Sequence, residues 1–165
     1  MPAYDPDRTT LVTSQQLADR QQGRFAISKD VNFTRLDPYV WAASERVRGW
    51  VGDDVYDDAL TEADISALTA SEQRRIKARR AVLAVAEAEL AMSYLLPNLN
   101  TFVTPEGMLL EARSEGAVTH RYLTPAQVRE AAQVFFNQAS LLVQPYLLGG
   151  NVPPADVELQ EIVLG

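Results

Sequence analysis

The chain of 165 residues contains no cysteine and only one histidine. Without cysteine it cannot form disulfides, use a thiolate nucleophile, or bind zinc or iron–sulfur clusters through cysteine ligands. The histidine, His120, lies between Thr119 and Arg121 in a stretch with strand character, and we interpret it as a solvated or cross-strand side chain. Gly-x-Ser-x-Gly, Walker and Gly-x-Gly-x-x-Gly motifs are also absent. We therefore expect no enzymatic activity and no cofactor.

Long apolar runs and an excess of basic residues are lacking too. No segment approaches the ~18 consecutive apolar residues of a membrane helix. The first ten residues, MPAYDPDRTT, do not resemble a secretory signal, so we expect a protein made in a cytoplasm with no membrane partner. The net charge of −7 argues against nonspecific wrapping of nucleic acid. Hydrophobic residues make up 47% of the chain, enough for one domain with a core.

Three helices are predicted for the central part of the chain, residues 36–148. The first runs over 37–51, with Asp37 as its N-cap, the second is a long rod over 70–96, and the third starts at Pro125. The second and third open with the capping boxes Thr-Ala-Ser-Glu and Thr-Pro-Ala-Gln. The second would be ~40 Å long at ~1.5 Å per residue. It is the expected spine of the domain.

A hairpin and two arms complete the expected fold. Alternating apolar and polar residues predict a β-hairpin near 108–123. Residues 1–35 contain one weak helical segment, which Ser14 could cap, and we interpret them as an arm that packs elsewhere. Residues 149–165 form an apolar tail that needs a groove or a sheet edge. The expected fold class is mostly α: a small helical bundle on one long central helix, with a β-hairpin and extended N- and C-terminal arms.

Two charged clusters are candidate binding surfaces. The acidic cluster lies in a stretch, 53–68, that we interpret as a connector, and its spacing does not match an EF-hand. It consists of Asp53, Asp54, Asp57 and Asp58. A solvated loop, a surface that pairs with basic residues, and a cation site all remain open for it.

The basic patch lies in the first half of the long predicted helix. It consists of Arg74, Arg75, Lys77, Arg79 and Arg80. Its interpretations are a solvated face, ion pairs within one subunit or between subunits, and contact with DNA.

The order of these elements forms a pattern. A short capped helix precedes a long alanine-rich helix ending in SYLLPNLNT, followed by a loop with TPEG, a hairpin leading into RYLTPAQV, and a helix ending in QPYLLGG. This layout resembles the head-to-tail connector (adaptor, or head completion) proteins of tailed bacteriophages. The resemblance implies a structural virion protein at the head–tail junction. In that family small helical subunits form a ring, usually of twelve copies, that docks on the portal and lets DNA pass.

The resemblance also implies partners. They are other copies of the chain, the portal protein, the next connector or tail component, and transient DNA in the lumen. Members often reach the portal with a C-terminal segment, which would give the tail a binding partner. The candidate portal-docking residues are Val157, Leu159, Ile162, Val163 and Leu164. Open alternatives are a non-viral helical adaptor or regulatory module, a neighbouring ring protein such as a stopper, and an enzyme using Asp or Glu with a divalent cation.

Overall fold

The computed structural model describes residues 9–21, 36–60, 65–98, 109–114, 117–122 and 124–149. Within them the helices are α1 (Ser14–Gln21), α2 (Asp37–Val51), α3 (Asp53–Leu60), α4 (Ala70–Leu95) and α5 (Pro125–Val143). Short 3-10 turns cover Ile65–Ala67, Leu96–Asn98 and Gln144–Tyr146. The strands are β1 (Leu109–Ser114) and β2 (Ala117–Tyr122).

The predicted capping boxes form at the starts of α4 and α5. The Thr69 hydroxyl accepts a hydrogen bond from the Glu72 backbone N–H at 3.3 Å, and the Glu72 carboxylate accepts one from the Thr69 N–H at 2.9 Å. Thr124 and Gln127 make the same reciprocal pair at the start of α5. These bonds satisfy backbone donors that a helix N-terminus leaves unpaired. The long central helix is confirmed, with 26 residues in α4.

Helix α4 lies at the centre of the bundle and packs against α2, α3 and α5. Every side chain from Ala86 to Leu95 is buried, whereas most of those before Leu83 are exposed or half-buried. Helix α2 is also buried on most sides, including Tyr39 and Trp50. A helix that is buried all round lies inside a core. Helix α2 and the second half of α4 therefore form the middle of the domain.

The described core is built mainly from helices, which corrects the expected fold class. We predicted a helical domain with a β-hairpin near 108–123 as one of its parts. The backbones of β1 and β2 pair antiparallel, from Leu109 opposite Tyr122 to Ser114 opposite Ala117. Neither strand packs extensively on a described helix. A period-2 pattern indicates local backbone preference and not what a segment packs against, so the fold class is a helical bundle.

Residues 9–21 (the N-terminal segment) correct the expected N-terminal arm. They belong to the core and are not an extended arm. Thr13, and not Ser14 as predicted, caps α1: its N–H donates to the Gln16 side chain at 2.9 Å, and its hydroxyl accepts from the Gln16 N–H at 3.2 Å. The apolar residues that anchor the segment in the core are Leu11, Val12, Leu17 and Ala18. The rest of the predicted arm lies outside the described residues.

The acidic stretch after Gly52 forms helix α3, where we predicted a connector. Aspartates in the first turn of a helix are stabilised by the positive end of the helix dipole. Tyr56 and Ala59 are fully buried and attach α3 to α2 and α4. Gly52 joins α2 to α3 at φ +88° and ψ 154°, a backbone conformation that is essentially restricted to glycine. The connector prediction was wrong because two buried residues alone give too weak a helical pattern.

Helix α2 also starts differently from the prediction. Leu36 occupies the N-cap position, and no side chain caps the helix. Asp37, the predicted N-cap, instead lies in the first turn, where its carboxylate accepts a hydrogen bond from the Ser14 hydroxyl. The aspartate therefore attaches the N-terminal segment to α2.

Candidate functional site

A buried group of polar side chains surrounds Glu87 on α4. Glu87 is 0% exposed, and both of its carboxyl oxygens have partners. Oε2 lies 2.5 Å from the Tyr56 hydroxyl on α3, and Oε1 accepts the backbone N–H of Val12 at 3.1 Å. The carboxyl group thus joins the N-terminal segment to two helices of the bundle. We refer to Glu87, Tyr56 and the Val12 N–H as the Glu87 cluster.

Arg48 of α2 lies against the Glu87 cluster. Its guanidinium carbon is 4.6 Å from the centre of the Tyr56 ring, close enough for a cation–π interaction. The same guanidinium pairs with Asp57 at 2.9 Å and with Asp53 at 3.3 Å. Both aspartates are exposed, so each pair contributes little to stability, ~1 kcal/mol or less. Together they orient Arg48 over the tyrosine.

Burial raises the pKa of the Glu87 carboxyl to about 8. Ionisation in the core would cost the carboxylate its hydration. The hydrogen bonds from Tyr56 and the N-terminal segment and the charge of Arg48 lower the pKa, but they do not offset burial. Burial first, and then the neighbouring Glu87, raise the pKa of Tyr56 as well. At neutral pH the cluster is therefore largely uncharged. Oε2 accepts a hydrogen bond from the Tyr56 hydroxyl and Oε1 accepts one from the Val12 N–H, so each carboxyl oxygen has a donor.

The Glu87 cluster binds the main chain of the N-terminal segment. A buried N–H or carboxyl without a partner costs ~1–3 kcal/mol, so each group in the cluster depends on the others. In the part of the chain that the structure describes, no group of His, Asp or Glu side chains is arranged to hold a metal ion. What the site does in the described structure is bind the backbone of the N-terminal segment through the Glu87 carboxyl.

Sequence reasoning missed the Glu87 cluster. Glu87 follows Leu83 by four residues and precedes Leu90 by three, so all three lie on one face of α4. The two leucines belong to the apolar stripe of the helix, and the glutamate interrupts that stripe. A carboxylate inside an apolar helical stripe was the signal that could have identified the site.

The acidic cluster and the basic patch meet at one described pair. Asp58 lies 3.3 Å from the Arg79 guanidinium, which also lies 6.0 Å from the centre of the Tyr146 ring. Asp53 and Asp57 instead face Arg48, which is outside the basic patch. Opposite charges thus contribute to the contact between α3 and α4. The pairing of Asp53 and Asp57 with Arg48 of α2 was not predicted from the sequence.

Most of the basic patch lies on the exposed half of α4. Arg74, Arg75 and Lys77 are exposed, and Arg79 and Arg80 are half-buried. In the acidic cluster Asp54 is exposed in the first turn of α3. Both surfaces therefore remain accessible to a further partner.

Helix α5 and the residues just beyond it carry a row of exposed apolar side chains (the α5 row). Val134, Leu141 and Leu148 are 50%, 63% and 56% exposed. Their spacing of seven residues is close to two helical turns, so positions 134 and 141 lie along one line of the helix. The opposite side is buried, with the Phe136 ring 5.9 Å from the Trp50 ring in an edge-to-face contact. The α5 row was not predicted from the sequence.

Other predicted site residues lie where the structure gives no side-chain description. His120 is on β2, opposite Glu111 in the strand register. The five residues of the predicted portal-docking tail lie outside the described residues. They are Val157, Leu159, Ile162, Val163 and Leu164.

Comparison of the chain with protein-family models, with curated proteins and with solved structures found no match. Among the helices that the structure describes, none is both long enough and apolar enough to cross a membrane. The features available for assigning a function are therefore the helical bundle, its buried Glu87 cluster, and its exposed charged and apolar surfaces.

Proposed function

We propose that this chain is a head-to-tail connector subunit of a tailed-bacteriophage virion. Copies of it form a ring that docks on the portal, allows DNA to pass and receives the tail. The role is structural, and the subunit acts by assembly. The order of its helices, from α2 through the long α4 to α5 and the following QPYLLGG, supports this proposal.

The α5 row is the observation that carries the proposal. Its three side chains are large and apolar, and each is at least half-exposed. Val134 and Leu141 are two helical turns apart on α5, a separation of ~10 Å. Leu148 follows beyond the end of the helix, where its N–H donates to the Trp50 C=O at 2.9 Å. A heptad row of apolar residues on a helix surface is the pattern by which helices bind one another. In a ring, this row would be covered by a neighbouring copy.

The charged surfaces have a place in the same proposal. In a closed ring each copy uses two different patches, because one side of a subunit meets the other side of the next. The exposed residues of the basic patch, Arg74, Arg75 and Lys77, and exposed aspartates such as Asp54 offer opposite charges for such a contact. Contact of the basic patch with DNA in the lumen is a second use of the same residues, and it would weaken steeply with added salt.

The C-terminal tail is proposed to bind the portal. Its apolar residues, from Val157 to Leu164, need a partner surface. Deleting residues 151–165 should leave the bundle folded and abolish co-sedimentation with the portal. Co-sedimentation of the truncated protein at the level of the intact protein would remove the tail from this role.

The assembly itself is tested by charge substitution in the α5 row. Leu141→Lys places a charge at the middle of the row. Ala67→Lys adds the same charge on the exposed turn before α4, outside the basic patch, and serves as the matched control. Both positions are exposed, so both variants should fold with stabilities within ~0.5 kcal/mol of the wild type. Light scattering and electron microscopy, with and without portal, then measure assembly.

The wild-type protein and Ala67→Lys should form rings with a central opening on the portal, whereas Leu141→Lys should remain unassembled. Rings of Leu141→Lys equal to those of the wild type would exclude the α5 row as a subunit contact. A wild-type protein that stays monomeric with portal present would contradict the connector function. That outcome would favour a non-viral helical adaptor.

A further inference from the structure

The N-terminal segment is bound to the bundle as a separate peptide would be. Its contacts are four buried apolar side chains, the main-chain hydrogen bond from Val12 to Glu87, and the hydrogen bond from Ser14 to Asp37. None of these contacts uses the covalent connection between the segment and α2. An identical segment from another copy of the chain would make all of them.

The groups that receive the segment are built into the bundle. Glu87 is oriented by Tyr56, and Tyr56 lies against Arg48. Asp37 is in the first turn of α2. These residues come from α2, α3 and α4, which pack directly on one another. The receiving site therefore keeps its shape whichever copy supplies the segment.

Segment and site each need to be covered. Helix α1 has eight residues, and isolated helices shorter than ~12–15 residues are marginal in water. Leu17 and Ala18 are 0% and 1% exposed, so removal of the segment would expose them together with the core surface beneath. The segment must therefore occupy a receiving site on a bundle. Every copy of the chain carries an identical receiving site.

The chain between the segment and α2 is long enough to reach a neighbour. Residues 22–35 can extend over at most ~50 Å at ~3.6 Å per residue. A compact domain of this length has a radius of gyration of ~15 Å and so a diameter of ~40 Å. Two copies in contact would thus place the neighbour's site within reach of the segment.

We propose that adjacent copies of this chain exchange their N-terminal segments, so that the segment of one copy occupies the Glu87 site of the next. The inference rests on the proposed function, because assembly brings the copies side by side. In a free monomer the tethered segment has an effective concentration on the order of mM at its own site. It therefore binds that site in preference to the site of another free copy. In a ring the neighbouring site competes on equal terms, and exchange links successive copies.

Pairs of introduced cysteines can detect the exchange, because the natural chain has no thiol to interfere. Ser14 and Asp37 are hydrogen-bonded, so cysteines at these positions lie within reach of a short bis-maleimide. The variant carrying both Ser14→Cys and Asp37→Cys is assembled on the portal, cross-linked and separated on a denaturing gel. Each single variant serves as the control, and light scattering of the same samples records whether they assembled.

Exchange predicts a ladder of covalently joined chains from the assembled double variant and none from either single variant. Assembled protein that gives only internally linked monomers would overturn the exchange and leave the connector function standing. Protein that fails to assemble would contradict the connector function and, with it, the exchange, which depends on assembly. Should Asp37→Cys prevent folding, a benzophenone maleimide on the exposed Gln15→Cys distinguishes the same outcomes on an unaltered bundle.

Discussion

Replacing Glu87 with glutamine removes the buried ionisable group while keeping the length and shape of the side chain. The glutamine oxygen can accept the Val12 N–H, and its amide can donate to the Tyr56 oxygen. At about pH 5, where the wild-type carboxyl is neutral in the folded protein, the variant should therefore be within ~1 kcal/mol of the wild type.

The two proteins should diverge as the pH rises. The pKa of Glu87 is about 8 in the folded protein, against a reference value of 4.5, so the folded state binds this proton more tightly. The stability that the proton contributes is complete below ~pH 4.5, declines between ~pH 4.5 and 8, and is absent above that interval. The difference, 8 minus 4.5, corresponds to ~5 kcal/mol at ~1.4 kcal/mol per unit. Opening of the N-terminal segment would hydrate the carboxylate, so this value is an upper limit.

Urea unfolding followed by circular dichroism, at a series of pH values from ~5 to ~9, measures this free energy. The wild type should lose several kcal/mol over that range by comparison with Glu87→Gln, which should be the more stable protein at the alkaline end. Glu89→Gln, which replaces another buried carboxyl on α4, is measured in parallel as the matched control. Parallel stability curves for the wild type and Glu87→Gln would refute the assignment of a buried, proton-binding carboxyl.

Three further substitutions test the packing around this site. Tyr56→Phe leaves Glu87 Oε2 without its partner and should cost ~1–3 kcal/mol in urea unfolding. Because the lost bond lowers the pKa of Glu87 in the folded protein, the pH-dependent loss of stability should also extend to higher pH. An unchanged pH profile would contradict the contact. Leu17→Ala removes a fully buried side chain and should cost ~2–5 kcal/mol, whereas a cost below ~0.5 kcal/mol, typical of surface positions, would show that the N-terminal segment does not pack in the core. Gly52→Ala forces an L-residue into the conformation at φ +88° and should lower the melting temperature, at a cost of ~1–3 kcal/mol; a wild-type melting temperature would mean that the junction of α2 and α3 relaxes.

The helices with strong local signals could be predicted from the sequence. A capping box places a side-chain acceptor and a reciprocal partner within four residues, so its energetics are local. Thr69 and Thr124 start α4 and α5 for this reason. The continuous run without glycine or proline before Pro97 likewise defines the length of α4.

The parts that could not be predicted depend on distant partners. Helix α3 has a marginal pattern of its own and is held by Tyr56, whose partner Glu87 is 31 residues away. The N-terminal segment lies 75 residues from the carboxyl that accepts the Val12 N–H. Contacts over such separations leave no periodic pattern in either segment. Only the apolar surroundings of Glu87 in α4 offered a local hint.

The change from exposure to burial along α4 divides one continuous helix into two regions of different local stability. Before Leu83, backbone hydrogen bonds can break while leaving the all-buried stretch after Ala86 intact. After Ala86, they can break only when the core opens. Hydrogen exchange in the first region therefore reports helix fraying, and in the second it reports global unfolding. A ligand bound to the basic patch would slow the first process directly, since the patch lies wholly within that region.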